Sequence, residues 1–100
     1  MDNFSKLKEF ETGTVACRAV AIARDGNLLV GADSQGLGFW DLKDLNGIKK
    51  IAVHSELNIR PYCIALSPNQ RTLAVGGYRS DPKFGAIELV RGLDGVEHGR

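Results

Sequence analysis

Val20-Ala21-Ile22-Ala23-Arg24-Asp25-Gly26-Asn27-Leu28-Leu29-Val30-Gly31-Ala32 is echoed by Ile64-Ala65-Leu66-Ser67-Pro68-Asn69-Gln70-Arg71-Thr72-Leu73-Ala74-Val75-Gly76-Gly77 further along the same 100-residue chain. Aligned by like letters, the copies stand 44 residues apart from Val20 to Ile64, and 45 apart from Leu28 to Leu73 after one inserted residue. A repeat of this period points to a solenoid, an array or a propeller, and moves the functional question from chemistry to partners.

Within each copy the apolar positions alternate on either side of a polar turn, the period of strands joined by a tight hairpin. Residues 18–23 read as one strand, Arg24-Asp25-Gly26-Asn27 as its turn, and Leu28 to Ala32 as the returning strand. Asp-Gly is a strong hairpin signal. Asp33-Ser34-Gln35-Gly36 turns the chain into Leu37 to Asp41, and Asp44-Leu45-Asn46-Gly47 turns it into Ile48 to Val53, completing a four-stranded meander. The second copy repeats the plan with Tyr62 to Leu66, the Ser67–Arg71 turn and Thr72 to Gly77. Tyr78 to Phe84, which contains Pro82, then reads as a long loop before a strand from Gly85 to Val90. Only Val96-Glu97-His98-Gly99-Arg100 is left for a fourth strand, so the second meander is expected to be incomplete. Phe4 to Phe10 alternates too, and residues 1–11 read either as the fourth strand of a preceding unit, or as a frayed end or short amphipathic helix.

Composition fits an ordinary globular domain, with 43% apolar and 25% charged residues. The formal net charge of +1 comes from 13 basic and 12 acidic residues spread along the chain, so no electrostatic tract for nucleic acid is expected. No apolar run approaches the roughly 18 residues that span a bilayer. Asp2, Lys6, Lys8, Glu9 and Glu11 stand where a signal peptide needs an apolar stretch. A cytoplasmic protein without membrane contact is the expectation. Cys17 and Cys63 lie far apart, each beside apolar residues at the start of a repeat, and read as buried free thiols.

The two copies resemble the tryptophan-aspartate (WD) repeat family of β-propellers. Trp40-Asp41 closes the third strand at the family's signature position, Asp25-Gly26 occupies the first turn, and Ala65-Leu66-Ser67-Pro68-Asn69 is similar to the family's Ala-Phe-Ser-Pro-Asp stretch. The resemblance covers roughly residues 14–92. It implies an all-β fold of two blades, residues 14–54 and an incomplete 59–100, within a partial propeller domain. The chain departs from the family where Val90-Arg91 replaces Trp-Asp, and where the Gly-His pair is missing. The family stiffens each blade with a hydrogen-bonded histidine, hydroxyl, aspartate and tryptophan; here His54, Trp40 and Asp33 supply only part of that set. Two blades alone leave apolar faces in water, so the resemblance also implies a ring completed by further blades or by further copies.

No catalytic constellation stands out. His54 and His98 are the only histidines and have no metal-ligand spacing. Ser34 and Ser67 read as turn hydroxyls, and Gly36-Leu37-Gly38 and Gly76-Gly77 as strand glycines rather than phosphate loops. Asp33, Asp41 and Asp44 lack the pattern of a calcium loop. No cofactor and no metal is expected. In the family, one face of the ring binds peptides, and the resemblance places Arg18, Asp33, Gln35, Glu56, Asn58, Arg60, Tyr78, Arg79, Lys83 and Phe84 in its loops. Arginine and aromatic residues are enriched at interaction hot spots, so Arg60, Tyr78, Arg79 and Phe84 are the candidate partner-binding rim. The expected function is a non-catalytic scaffold for a protein or peptide. The alternatives are a homo-oligomeric assembly subunit, and part of a propeller enzyme whose catalytic residues lie outside this segment.

Overall fold

The computed structural model describes residues 5–13, 15–80 and 83–91. Alternating apolar residues and turn-forming aspartates fold these into seven strands: β1 (Ala19–Ile22), β2 (Leu28–Asp33), β3 (Gly36–Asp41), β4 (Lys49–His54), β5 (Arg60–Leu66), β6 (Thr72–Ser80) and β7 (Lys83–Arg91). They form two antiparallel meanders, a four-stranded sheet in the order β1-β2-β3-β4 and a three-stranded sheet in the order β5-β6-β7. We call them sheet A and sheet B. The described residues contain no helix.

The two hairpin turns are built alike. In the first, the Asp25 carboxylate accepts the Asn27 N–H at 2.9 Å, Gly26 adopts φ +78°, and Ala23 N–H donates to the Leu28 carbonyl at 2.8 Å. In the second, the Asn69 side-chain oxygen accepts the Arg71 N–H at 3.1 Å, Gln70 adopts φ 63°, and Ser67 N–H donates to the Thr72 carbonyl at 2.9 Å. Each acceptor closes an Asx turn, and each left-handed residue follows it. Residue for residue the turns match, so the offset is 44 throughout the first hairpin of each repeat and there is no inserted residue there. The same offset relates the cross-strand pairs: Val20 opposes Gly31 as Ile64 opposes Val75, and Ile22 opposes Leu29 as Leu66 opposes Leu73. The insertion suggested by like letters is thereby corrected. Leu73 is the counterpart of Leu29, and Leu28 is that of Thr72.

A shift of one residue in a strand changes the face of every side chain. Leu28, Val30 and Ala32 of β2, with Leu37 and Phe39 of β3, are buried against sheet B. Leu73, Val75 and Val90 are buried from the other side, joined by Ile59 and by the partly buried Ile64, Leu66 and Ala86. Because the counterparts of Leu73 and Val75 are Leu29 and Gly31, the two sheets meet through opposite faces of equivalent strands. They stack head to tail, with β1 beside β5.

The second repeat differs from expectation between Tyr78 and Phe84. β6 continues to Ser80 and β7 starts at Lys83, with Tyr78 opposite Gly85, Arg79 opposite Phe84 and Ser80 opposite Lys83. The long loop is therefore a two-residue connection, Asp81-Pro82, which lies outside the described residues. Backbone pairing along nine-residue strands outweighs the polar character of Arg79, Ser80 and Lys83. The proposed strand in residues 96–100 also lies outside the described residues.

Residues 5–13 form no strand. Phe10 instead stacks on Trp40 with ring centroids 6.0 Å apart. Trp40 lies flat over the outer face of sheet A, where a Cβ on Gly38 would come within 2.5 Å of its ring and one on Gly31 within 3.1 Å. Two glycines thus make the space that the indole fills. Lys50, opposite Trp40 across a bulge in the β3–β4 pairing, places its ammonium 5.3 Å from the ring centroid.

Candidate functional site

β5 is an edge strand, and Pro61 near its start has no N–H for the ladder. The pairing shifts between Pro61 and Cys63, leaving Tyr62 as the extra residue of a bulge. Its ring turns onto the outer face of sheet B, 5.3 Å from Tyr78 at an interplanar angle of 33°. Arg18 places its guanidinium 5.7 Å from the Tyr62 centroid and so links the sheets where β1 and β5 adjoin. Arg18 N–H also donates to the Ala32 carbonyl at 2.8 Å, holding this residue in line with β1.

The four residues of the candidate rim come to one end of sheet B. Arg60 opposes Tyr78, and Arg79 opposes Phe84 with its guanidinium 5.5 Å from the ring centroid. Alternation along β6 splits them: Arg60 and Tyr78 belong to the outer face, Arg79 and Phe84 to the opposite one. All four stand on strands. The connection leading into β5 is anchored by Asn58, whose N–H donates to Glu88 Oε1 at 2.9 Å.

Beside the tyrosine pair runs a groove of about 650 Å³, walled by Tyr62 and Ile87 and floored by Gly76, Gly77 and Gly85. The glycines leave backbone as the floor. Its lining is apolar, and the Arg18 guanidinium stands over the ring of Tyr62, one of its walls.

The remaining residues singled out in the sequence have local work. Asp33 accepts the Gln35 N–H at 2.7 Å, Asp41 the Lys43 N–H at 2.8 Å and Asp44 the Asn46 N–H at 3.0 Å. Ser67 Oγ lies 2.6 Å from Asn69 Oδ1 and accepts the Thr72 N–H at 3.1 Å, a turn-closing role, and Pro68 is exposed in that turn. Among the described residues no hydrogen bond joins Trp40, His54 and Asp33. No group of three or more histidines, cysteines or carboxylates that could hold a metal occurs among them either. Ser34, Gln35 and Glu56 are exposed. His98 lies outside the described residues. Cys17 and Cys63 are free but exposed, a correction to the expectation of buried thiols. Cys63 is the counterpart of Ala19, which packs on the core, but it belongs to the outer face of sheet B where no second sheet lies over it.

Tyr62 is the site residue that the sequence shows only as the start of a strand. Its signal was Pro61, which breaks the ladder and produces the bulge. No helix of the described residues is long and apolar enough to cross a membrane. Set against known proteins, the chain matches no family model, no curated protein and no solved structure.

Proposed function

We propose that this chain is a non-catalytic interaction module made of two consecutive WD-like propeller blades, working in the cytoplasm, whose ring is completed by further blades. Head-to-tail stacking of two meanders, with the first strands β1 and β5 side by side, supports the blade reading. So do the matching turns and Trp40-Asp41 at the end of a third strand. The observation that carries the function is the meeting of Arg60, Tyr78, Arg79 and Phe84 at one end of sheet B, where the Tyr62–Tyr78 pair adjoins a glycine-floored groove on the outer face. Residues of these types form hot spots because they combine large contact area with strong directional interactions. A peptide with an apolar side chain for the groove and a carboxylate for Arg18, which stands over the Tyr62 ring, fits this chemistry.

The test is a random peptide display selection on the wild-type protein, followed by affinity measurement on a variant with Arg60, Tyr78, Arg79 and Phe84 all changed to alanine. Ligands selected by the wild type should bind the variant about tenfold more weakly or worse, a loss of ~1.4 kcal/mol or more. Failure to select any ligand, or equal binding by both proteins, sinks the reading.

A further inference from the structure

The equivalence of the two repeats identifies what is missing from each outer surface. Leu37 and Phe39 are 1% and 3% exposed, buried where sheet A meets sheet B. In sheet A they oppose Ala32 and Val30; in sheet B their counterparts Ile87 and Leu89 oppose Gly76 and Ala74. Ile87 and Leu89 are 76% and 68% exposed. The outer face of sheet B is therefore the counterpart of the buried face of sheet A, with nothing stacked on it among the described residues. The converse holds at the other end of the molecule. Ile64 and Leu66 of β5 pack against the core, while their counterparts Val20 and Ile22 in β1 are 59% and 58% exposed, with Val53 of β4 exposed on the same side.

Among the described residues the chain thus carries two apolar surfaces with no sheet stacked on them: the outer face of sheet B and, beside the Trp40–Phe10 contact, the exposed β1 and β4 side chains of sheet A. One has the pattern of a surface that already accepts a sheet, and the other the pattern of a surface that already supplies one. We infer that a second copy of this chain docks head to tail, the outer face of its sheet A, around Val20, Ile22 and Val53, seated on the outer face of sheet B, around Ile87 and Leu89. The contact repeats between chains the stacking that exists within one. It is heterologous, because different surfaces meet, and such a contact closes into a ring or grows into a filament according to the rotation per step. Clustered exposed apolar side chains on both faces are the surfaces that need such cover. The inference rests on the stacking of the sheets and not on the arginine-aromatic rim; because Ile87 also walls the groove, a docked copy and a groove-bound peptide compete for this face, and self-association is measured without any peptide.

The experiment uses light scattering and sedimentation of the full chain from about 1 to about 100 µM, the range in which a micromolar complex forms. Two variants each disable one face: Ile87→Lys with Leu89→Lys, and Val20→Lys with Ile22→Lys. All four positions are exposed, and circular dichroism checks that the folds are kept; serine pairs at the same sites replace any lysine pair that unfolds. Wild type should show masses that are multiples of the monomer and rise with concentration, and each variant should be monomeric. An equimolar mixture of the variants should form a 1:1 dimer, because each retains the face that the other lacks. A wild type monomeric throughout would overturn the inference. So would an associating wild type whose two variants fail to pair when mixed, since that shows a contact through some other surface.

Discussion

Gln70 occupies the left-handed position that Gly26 occupies in the first hairpin, with φ 63° against 78°. A side chain there costs roughly 1–2 kcal/mol from the clash of Cβ with the following carbonyl. The Gln70 Oε1 is also buried without a partner among the described residues, a condition that costs about 1–3 kcal/mol for a polar group. Gln70→Gly removes both terms, against a loss of about 0.4–1 kcal/mol from the greater freedom of glycine in the unfolded chain. The expected net gain is about 1–4 kcal/mol. Urea unfolding reads it as a higher midpoint at unchanged slope, and thermal unfolding as a rise of roughly 4–8 °C per kcal/mol. Gln70→Ala is the control: it removes the amide but keeps the Cβ, so it should fall between wild type and the glycine variant. An alanine variant as stable as the glycine variant, or a glycine variant less stable than wild type, would refute the claim that the two turns share one backbone design.

Leu73→Ala, at a position with 0% exposure, should cost about 2–5 kcal/mol by chemical denaturation. Leu89→Ala, on the outer face of the same sheet, should change the stability of the dilute monomer by less than about 0.5 kcal/mol. Gly38→Ala pushes a methyl group into the Trp40 ring and should destabilise the fold by about 1–3 kcal/mol, with a change in the tryptophan emission of the folded protein.

The fold was legible where local chemistry decides it. Asp25-Gly26 and Asn69-Gln70 close turns whatever lies around them, and alternation in Leu28–Ala32 and Thr72–Gly77 requires strands with two distinct faces. Its errors share a physical origin. Matching Leu28 to Leu73 follows the letters, whereas the backbone matches Leu29 to Leu73; that single step decides which face is core, and only cross-strand pairing reveals it. Arg79, Ser80 and Lys83 look like loop residues because sequence shows polarity but not the ladder that extends β6 and β7 to Ser80 and Lys83. Phe10 alternates with its neighbours as a strand would, yet it serves as a cover for Trp40. The site was half legible. Arg60, Tyr78, Arg79 and Phe84 converge at one strand end, but their division between two faces, and the entry of Tyr62 through a bulge, depend on register.

Trp40 is the only tryptophan of the chain and is 6% exposed, with Phe10 stacked on one side and backbone glycines on the other. Its emission is therefore an unlabelled optical reporter of sheet A, responding both to the lifting of the N-terminal segment and to the unfolding of the sheet itself. Unfolding of sheet B by itself would leave that signal in place, so a tyrosine signal from the Tyr62–Tyr78 pair and the indole signal would follow the two sheets separately in one cuvette.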